Sequence, residues 1–426
     1  MREMKDSGIE WVGQIPETWE TIKIDSLYSV RNTKVSDFDY PPLSVTMQGI
    51  MPQLDTAAKT NDHNNRKLVK KGDFAINSRS DRRGSCGISD LDGSVSLINT
   101  VLKPNRIMNS RYYNWLFHTS LFADEFYKWG HGIVDDLWTT NWQDMKKISV
   151  PYPDIRIQEL IADFLDAKCS EIDALTADIE KQIETLEAYK KSVITEAVTK
   201  GLNPDVEMKD SGIEWIGQIP KTWKTVKIGY VTKSITDLDH FMPNDYDEND
   251  GIPYLMIGDL QNRTSMIDFS KSKHISLVDY KRLSRKSKTQ QGDIIFARYA
   301  SIGTVSYVDG DNSFVVSYAC LTVRPNELIL GEFLFYYFKS YAFLEDVSQY
   351  INTNTQGNVG KESLVRAKIV LPTIFEQKNI VNFLNQKLHE IEKAIDVKKE
   401  QLDVLADYKK SLIYEYVIGK KEVPNE

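Results

Sequence analysis

The chain writes one fifteen-residue phrase twice: KDSGIEWVGQIPETW at residues 5–19 and KDSGIEWIGQIPKTW at 209–223, differing only at Val12/Ile216 and Glu17/Lys221. A second matched pair follows each copy. Residues 153–192 and 372–411 both place Pro, then Gln, then Phe-Leu, then Lys, then Ile, and end in Tyr-Lys-Lys-Ser at the same offsets. The period is far too long for a solenoid and reads as tandem duplication of a whole module. With 426 residues the chain is long enough for each module to bury its own core.

The second matched segment predicts a long helix in each copy. Leu165, Ile172, Ile179, Leu186 and Val193 recur every seventh residue, with Leu175 and Tyr189 filling intermediate positions. In the second copy Leu384, Ile391, Leu405 and Leu412 repeat the seam, widened by Leu388, Ile395 and Leu402. Such spacing is a coiled-coil stripe. Pro153-Asp154 offers an N-cap, Thr373 with Glu376 a capping box, Gly201 with Pro204 a stop, and Gly419 comes near the second end. Helices of roughly 40 residues would each be about 60 Å long. Their apolar stripes need cover. Either each helix packs on its own domain or the two pair with one another. The identical Tyr-Lys-Lys-Ser ends favour antiparallel pairing, a rod with one variable region at each end.

The variable regions, about 20–150 and 224–370, match poorly but share landmarks. Each has a Gly-Asp turn into a strand (GDFAINSR at 72–79, GDIIFAR at 292–298), a Pro-Asn turn (102–105, 323–326) and an aromatic helical stretch (112–129, 332–347). The expected fold is α+β: two globular domains, each a twisted sheet braced by helices, joined by two long helices in an antiparallel intramolecular coiled coil. The boundaries follow as 1–152 with its junction segment 1–19, helix 153–201, 202–371 with its repeated segment 207–223, and a last helix and tail 372–426.

The segment KDSGIEW-x-GQIP-x-TW, the Gly-Asp-strand-Arg turn and the Pro-x-x-x-x-Gln helix ending in YKKS, in that order and in both halves, resemble the specificity subunit of a type I restriction-modification system, over essentially the whole chain. The resemblance implies that each variable region is a target recognition domain reading half of a bipartite DNA sequence. It implies paired helices that fix the spacer and dock two methyltransferase subunits, which use S-adenosylmethionine to methylate adenine. Two restriction subunits requiring ATP and Mg would complete the nuclease, and the chain itself would bind no cofactor and catalyse nothing. Physical considerations agree: rigid length converts to spacing along a duplex, and a base must be extruded before methylation, so a partner enzyme needs room. The net charge of -8 suggests that partners supply part of the positive surface.

Base edges are read mainly by Arg, Lys, Asn and Gln. The run NSRSDRRGS (77–85) concentrates Arg79, Arg82 and Arg83, which either meet DNA or pair with acids such as Asp81 and Asp90. FARYASIG (296–303) supplies Arg298 and Tyr299, with Arg298 one residue earlier than Arg79 counted from the Gly-Asp turn. In SVTMQG (44–49), Thr46 and Gln48 follow a stretch read as a strand. The polar runs before each long helix add Thr139, Thr140 and Asn141, then Asn352, Asn354, Gln356 and Lys361; such runs also suit turns. His131 is expected to be a structural loop residue, and Trp11, Trp19, Trp215 and Trp223 to pack at the junction of domain and helix.

Catalytic patterns fail. Asp39-Tyr40-Pro41-Pro42 has the letters of an amino-methyltransferase loop in the wrong order, and GNVGK (357–361) lacks phosphate-loop spacing. Pro153-Asp154 with Asp166-Ala167-Lys168 resembles a nuclease string only if strands, rather than a helix, carry it. DYDENDG (245–251) puts its glycine one place late for a calcium loop. Six scattered histidines and three distant cysteines (Cys86, Cys169, Cys320) predict no metal site and reduced thiols. There is no apolar core for a signal peptide and no apolar run that could cross a bilayer, so the expected setting is cytoplasmic. The competing reading is a non-enzymatic DNA-binding scaffold or solitary regulator without methyltransferase partners; an enzyme in its own right is opposed by the missing motifs.

Overall fold

The computed structural model describes residues 3–53, 62–79, 82–132, 138–260, 262–299, 301–351 and 357–424. Two compact units emerge, Met1–Ile179 with Lys399–Glu426, and Glu180–Lys398. Each contains part of both long helices, Ile155–Lys200 and Ile374–Val417.

The repeated phrase folds the same way in each unit. Met4–Asp6 pairs with Gln14–Pro16, and Met208–Asp210 with Gln218–Pro220, both antiparallel. The Asp-Ser-Gly letters form the turn between those strands. Gly8 N–H donates to Asp6 Oδ1 and Ile9 N–H to Ser7 Oγ; Gly212 and Ile213 repeat this on Asp210 and Ser211 at the same distances, 2.9 and 3.1 Å. The following Trp19 and Trp223 are buried. In the first unit Gly419, ending the second long helix, lies so close to Pro16 and Trp19 that a Cβ would come within 2.8 Å of the indole. In the second unit Gly201, ending the first long helix, sits against Trp223, where a Cβ would lie 3.2 Å from the indole, a tight contact. Both glycines have φ near +77°, 76° and 78°, the left-handed stop that side chains resist. The duplicated phrase is therefore a socket for a helix end.

The helices run antiparallel within each unit. In the first, Phe164 stacks on Tyr416 (4.4 Å between centroids) and Lys409 pairs with Asp173 at 2.5 Å. In the second, Lys190 pairs with Glu392 at 2.7 Å while Ile183 and Leu186 pack on the cluster holding Leu388, Ile391 and Ile395. Leu165, Ile172, Ile179, Val193, Leu384, Ile391 and Leu412 are buried, and Leu186 and Leu405 partly so. The intermediate positions differ from expectation in the first helix. Leu175 and Tyr189 are 47% and 48% exposed. The covered residues are instead Cys169, Thr176, Ile183, Lys190 and Ala197, four rather than three places after each seam residue. A heptad stripe can widen on either flank, and the partner helix covers only one.

Each unit carries a four-stranded antiparallel sheet of the same order. In the first it runs Cys86–Ile88, Phe74–Asn77, Asn99–Pro104, Tyr28–Val30; in the second Val305–Tyr307, Ile294–Ala297, Cys320–Pro325, Thr232–Asp237. Aromatic helices back the sheets: Ser110–Phe117 and Ser120–Lys128, then Gly331–Phe338 and Tyr341–Ser348. Thr119 and Ser340 cap the second helix of each pair by accepting from Phe122 N–H and Phe343 N–H. Beside each sheet lies a smaller three-stranded one. Among the described residues no helix is long and apolar enough to cross a membrane.

Candidate nucleic-acid interface

The Gly-Asp turn aims a strand at the same point in both units. After Phe74–Asn77, Arg79 forms an isolated antiparallel bridge with Thr139; after Ile294–Ala297, Tyr299 forms one with Asn358. Thr140 N–H donates to Ser78 O at 2.9 Å, and Val359 N–H to Arg298 O at 3.0 Å. The structural counterpart of Arg79 is thus Tyr299, and that of Arg298 is Ser78. The two polar runs quoted before the long helices are the strands' neighbours at these points.

In the first unit these residues line a cleft of about 500 Å³ with Asn32, Lys67, Ser78, Asn141 and Gln143. Arg79 is exposed, and its guanidinium makes no hydrogen bond or ion pair among the described residues. Asn141 is exposed and caps the short helix Trp142–Met145, its Oδ1 accepting from Gln143 N–H at 2.8 Å and leaving its amide N–H groups outward. Thr139 is partly exposed. Thr140 is fully buried, its hydroxyl donating to Phe126 O at 2.8 Å, which commits the side chain to the fold. Lys67 donates to Asn99 O at 2.7 Å, and burial lowers its pKa. Arg82 lies in the turn after Arg79, whose carbonyl its N–H meets at 3.2 Å. Arg83 forms an ion pair with Asp124 and lies over the Tyr127 ring. That partner is an acid on a helix rather than the neighbouring Asp90, and Asp81 lies outside the described residues. Thr46 and Gln48 belong to the hairpin Leu43–Thr46/Gly49–Pro52. The Thr46 hydroxyl donates to Gly49 O at 2.9 Å and accepts from Gln48 N–H, while the Gln48 side chain stands exposed at the tip.

In the second unit Arg298 is 15% exposed and donates to Asp237 Oδ2 at 3.0 Å. Its guanidinium lies over Tyr299, 5.2 Å from the centroid, and Tyr299 meets Tyr318 edge-on, with His240 against the other ring at 3.9 Å. Arg298 Nε is buried without a hydrogen-bond partner among the described residues. Lys361 opens the helix Lys361–Arg366 and is partly exposed. Asn352, Asn354 and Gln356 lie outside the described residues.

Asn32 and Gln143 in the first unit, and Asp237, His240 and Tyr318 in the second, escaped the sequence reading. Gln143 stood one residue beyond the polar run and had a legible signal. The others come from segments distant in sequence and had none.

The rejected motifs meet structural reasons. Asp166 sits on a helix, held by Arg111 at 2.6 Å and Trp115 at 2.8 Å, and Asp154 caps that helix through Arg156 N–H. Among the described residues no group of three or more His, Cys, Asp or Glu is placed to hold a metal. His131 bridges Thr139 through its backbone, with its ring 3.4 Å from Asp144.

The sequence pattern of the type I restriction modification DNA specificity domain matches residues 16–185 and again 220–401. The chain belongs to that family. Among its relatives, the type I restriction enzyme MjaVIII specificity subunit of Methanocaldococcus jannaschii is 25% identical across 97% of this chain and 95% of its own. The EcoBI specificity subunit of Escherichia coli is 25% identical over 56% of this chain and 51% of its own. A solved chain of a type I R-M system shares the fold with TM-score 0.69 at 13% identity, covering 95% of this chain and 98% of that one. The specificity subunit's work is DNA sequence recognition, and members of the family are generally non-catalytic, acting beside subunits that use S-adenosylmethionine and ATP. The cleft at Arg79 and the Arg298–Tyr299 edge are therefore where recognition chemistry has to be sought.

Proposed function

We propose that each unit reads one half of a bipartite duplex target, while the paired long helices set the spacer and dock two methyltransferase subunits that modify adenine. Two ATP- and Mg-dependent restriction subunits join the same assembly, and this chain contributes no catalytic group. The observation that carries the reading is the repeated bridge: Arg79 to Thr139 and Tyr299 to Asn358 put different side chains at one backbone position in two units. Backbone bonds hold the position, so the side chain is left to face a ligand. Arg79, Gln48, Asn141 and Gln143 supply donors in the first unit, and Arg298, Tyr299 and Lys361 in the second. Unlike readers imply unlike half-sites. A well-placed bidentate contact discriminates bases by about 1–3 kcal/mol, so a few such side chains suffice for a half-site.

The test is to map methylated adenines in cells making this chain with its methyltransferase, then exchange residues 20–150 for the corresponding region of another family member. One half of the methylated motif should change. Change in both halves, or in neither, refutes the modular reading.

A further inference from the structure

The strongest local charge in the chain lies away from every motif considered above. Five of the eight residues from Lys281 to Lys288 are cationic: Lys281, Arg282, Arg285, Lys286 and Lys288. All five are exposed. They occupy the end of the helix Leu277–Leu283 and the turn that follows it. Leu283 is buried beside Tyr254, Ile275 and Val315, with Tyr280 packed on the same cluster, so the helix is fixed by one face and presents the cations on the other. Lys286 pairs with Asp239 at 2.7 Å, and Arg282 lies over Phe241, 4.3 Å from the centroid. Lys281, Arg285 and Lys288 make no ion pair among the described residues.

The location gives the patch a direction. The five-residue stretch Asp237–Phe241 leaves the edge strand of the second sheet. Asp237 holds Arg298, Asp239 holds Lys286, His240 stacks on Tyr318, and Phe241 supports Arg282. One short segment thus joins the Arg298–Tyr299 edge to the cationic helix. Ser287 ties the turn back to the sheet through Thr236 (2.9 Å) and Thr322 (3.1 Å), and Arg324 donates to Lys288 O at 2.8 Å. The base of the patch is rigid while its three unpaired cations are free.

From this we infer that the Lys281–Lys288 surface grips the phosphate backbone of the duplex half-site read by the second unit, without reading its bases. The inference rests on the second unit being a DNA reader. Flexible ammonium groups and one guanidinium on an outer helix face are point charges, suited to phosphates rather than to a fixed donor pattern. A body with net charge -8 repels DNA at long range, so a local cationic excess is needed where the duplex is held. The feature is particular to this unit. In the first, the strands Arg66–Val69 and Phe74–Asn77 are joined by the turn Lys70–Asp73, where the second places the helix between Lys273–Ile275 and Ile294–Ala297.

The test uses the full chain assembled with its methyltransferase, bound to a synthetic duplex carrying the motif mapped by methylation. Lys281→Gln, Arg285→Gln and Lys288→Gln are combined, all at exposed positions. Each lost phosphate contact lowers the slope of log affinity against log salt by about 0.9, so the triple variant should lose up to about 2.7 and bind more weakly at every salt concentration. The methylated motif should stay the same in both halves. Lys281→Arg with Arg285→Lys and Lys288→Arg should keep the parent slope. An unchanged slope overturns the proposal while leaving the reader assignment standing. A changed second half-motif overturns it in favour of base reading. Loss of the methyltransferase from the complex overturns it in favour of a protein-docking face.

Discussion

Gln377 is the sharpest place to test how a recognition unit is fastened to its helix. It is fully buried in the first turns of the second long helix. Its Nε2 donates to Leu328 O and Pro372 O, both at 3.0 Å, and its Oε1 accepts from Leu330 N–H at 2.8 Å. One amide thereby joins the helix start to the loop that feeds the aromatic helix Gly331–Phe338. Gln377→Ala strands three backbone groups. A buried unsatisfied group costs about 1–3 kcal/mol, and partial entry of water brings the sum to roughly 3–5 kcal/mol. For a unit of this size each kcal/mol shifts Tm by about 2–4 °C, so differential scanning calorimetry should show the unit's transition fall by on the order of 10 °C. Gln377→Glu adds a sign. Its ionised form would face two carbonyl oxygens in a buried site, so its folded pKa rises above the unfolded value. Stability is then present at low pH and lost as pH rises through that folded pKa. Gln158→Ala, which removes bonds to Pro153 O (2.8 Å) and Asn109 N–H (2.9 Å), should destabilise the first unit less. A Gln377→Ala chain melting within about one degree of the parent would refute the reasoning, since so small a shift is a fraction of a kcal/mol.

Arg298→Gln should alter or relax the second half of the methylated motif and leave the first half intact, with a loss of about 1–3 kcal/mol, roughly 5- to 150-fold, in discrimination at one position; Arg79→Gln should do the reverse, and methylation sequencing reads both. The three thiols should resist alkylation in the folded chain and react on unfolding, because burial pushes Cys169 up to about 11, Cys320 up to about 12 and Cys86 higher still; mass spectrometry after iodoacetamide treatment checks this. Burial, with Lys190 nearby, brings Lys339 down to about 8. The unfolded chain therefore binds the extra proton across the range above that value, and this group's penalty on folding is relieved as pH rises. Relative to Lys339→Met, the parent should gain thermal stability between about pH 7 and about pH 10, and a constant difference would refute it.

The parts of this fold legible in the sequence are those set by local rules. The Asp-Ser-Gly turn writes its own hydrogen bonds, and Thr373 with Glu376 forms the capping box that the letters promise, at 2.9 Å and 3.3 Å. The heptad seam was legible too, but not its second flank. Leu175 is the more apolar choice beside Ile172, yet the covered residue is Thr176, and at the corresponding later position it is Lys190, made tolerable by Glu392. Which flank is covered depends on where the partner helix lies, and no single helix encodes that. The same limit governed the arginines. Arg83 is claimed by Asp124, far along the chain on a helix, while Arg79, the last residue of the Gly-Asp-strand-Arg motif, keeps its guanidinium outward.

The two units also show why an interface of this kind can change its target without losing its fold. The positions of Arg79 and Tyr299 are set by main-chain bridges and by N–H groups of the next residue pair, Thr140 to Ser78 and Val359 to Arg298. Backbone bonds make no demand on side-chain identity, so an arginine and a tyrosine occupy equivalent sites with the same sheet beneath them. The sockets obey the opposite rule. Gly201 and Gly419 need left-handed φ, and the tryptophans they meet leave little or no room for a Cβ. A substitution there costs folding energy wherever it occurs, whereas one at the reader costs only contacts with the ligand. Near identity of the fifteen-residue phrase and divergence of the regions between its copies follow from that single difference.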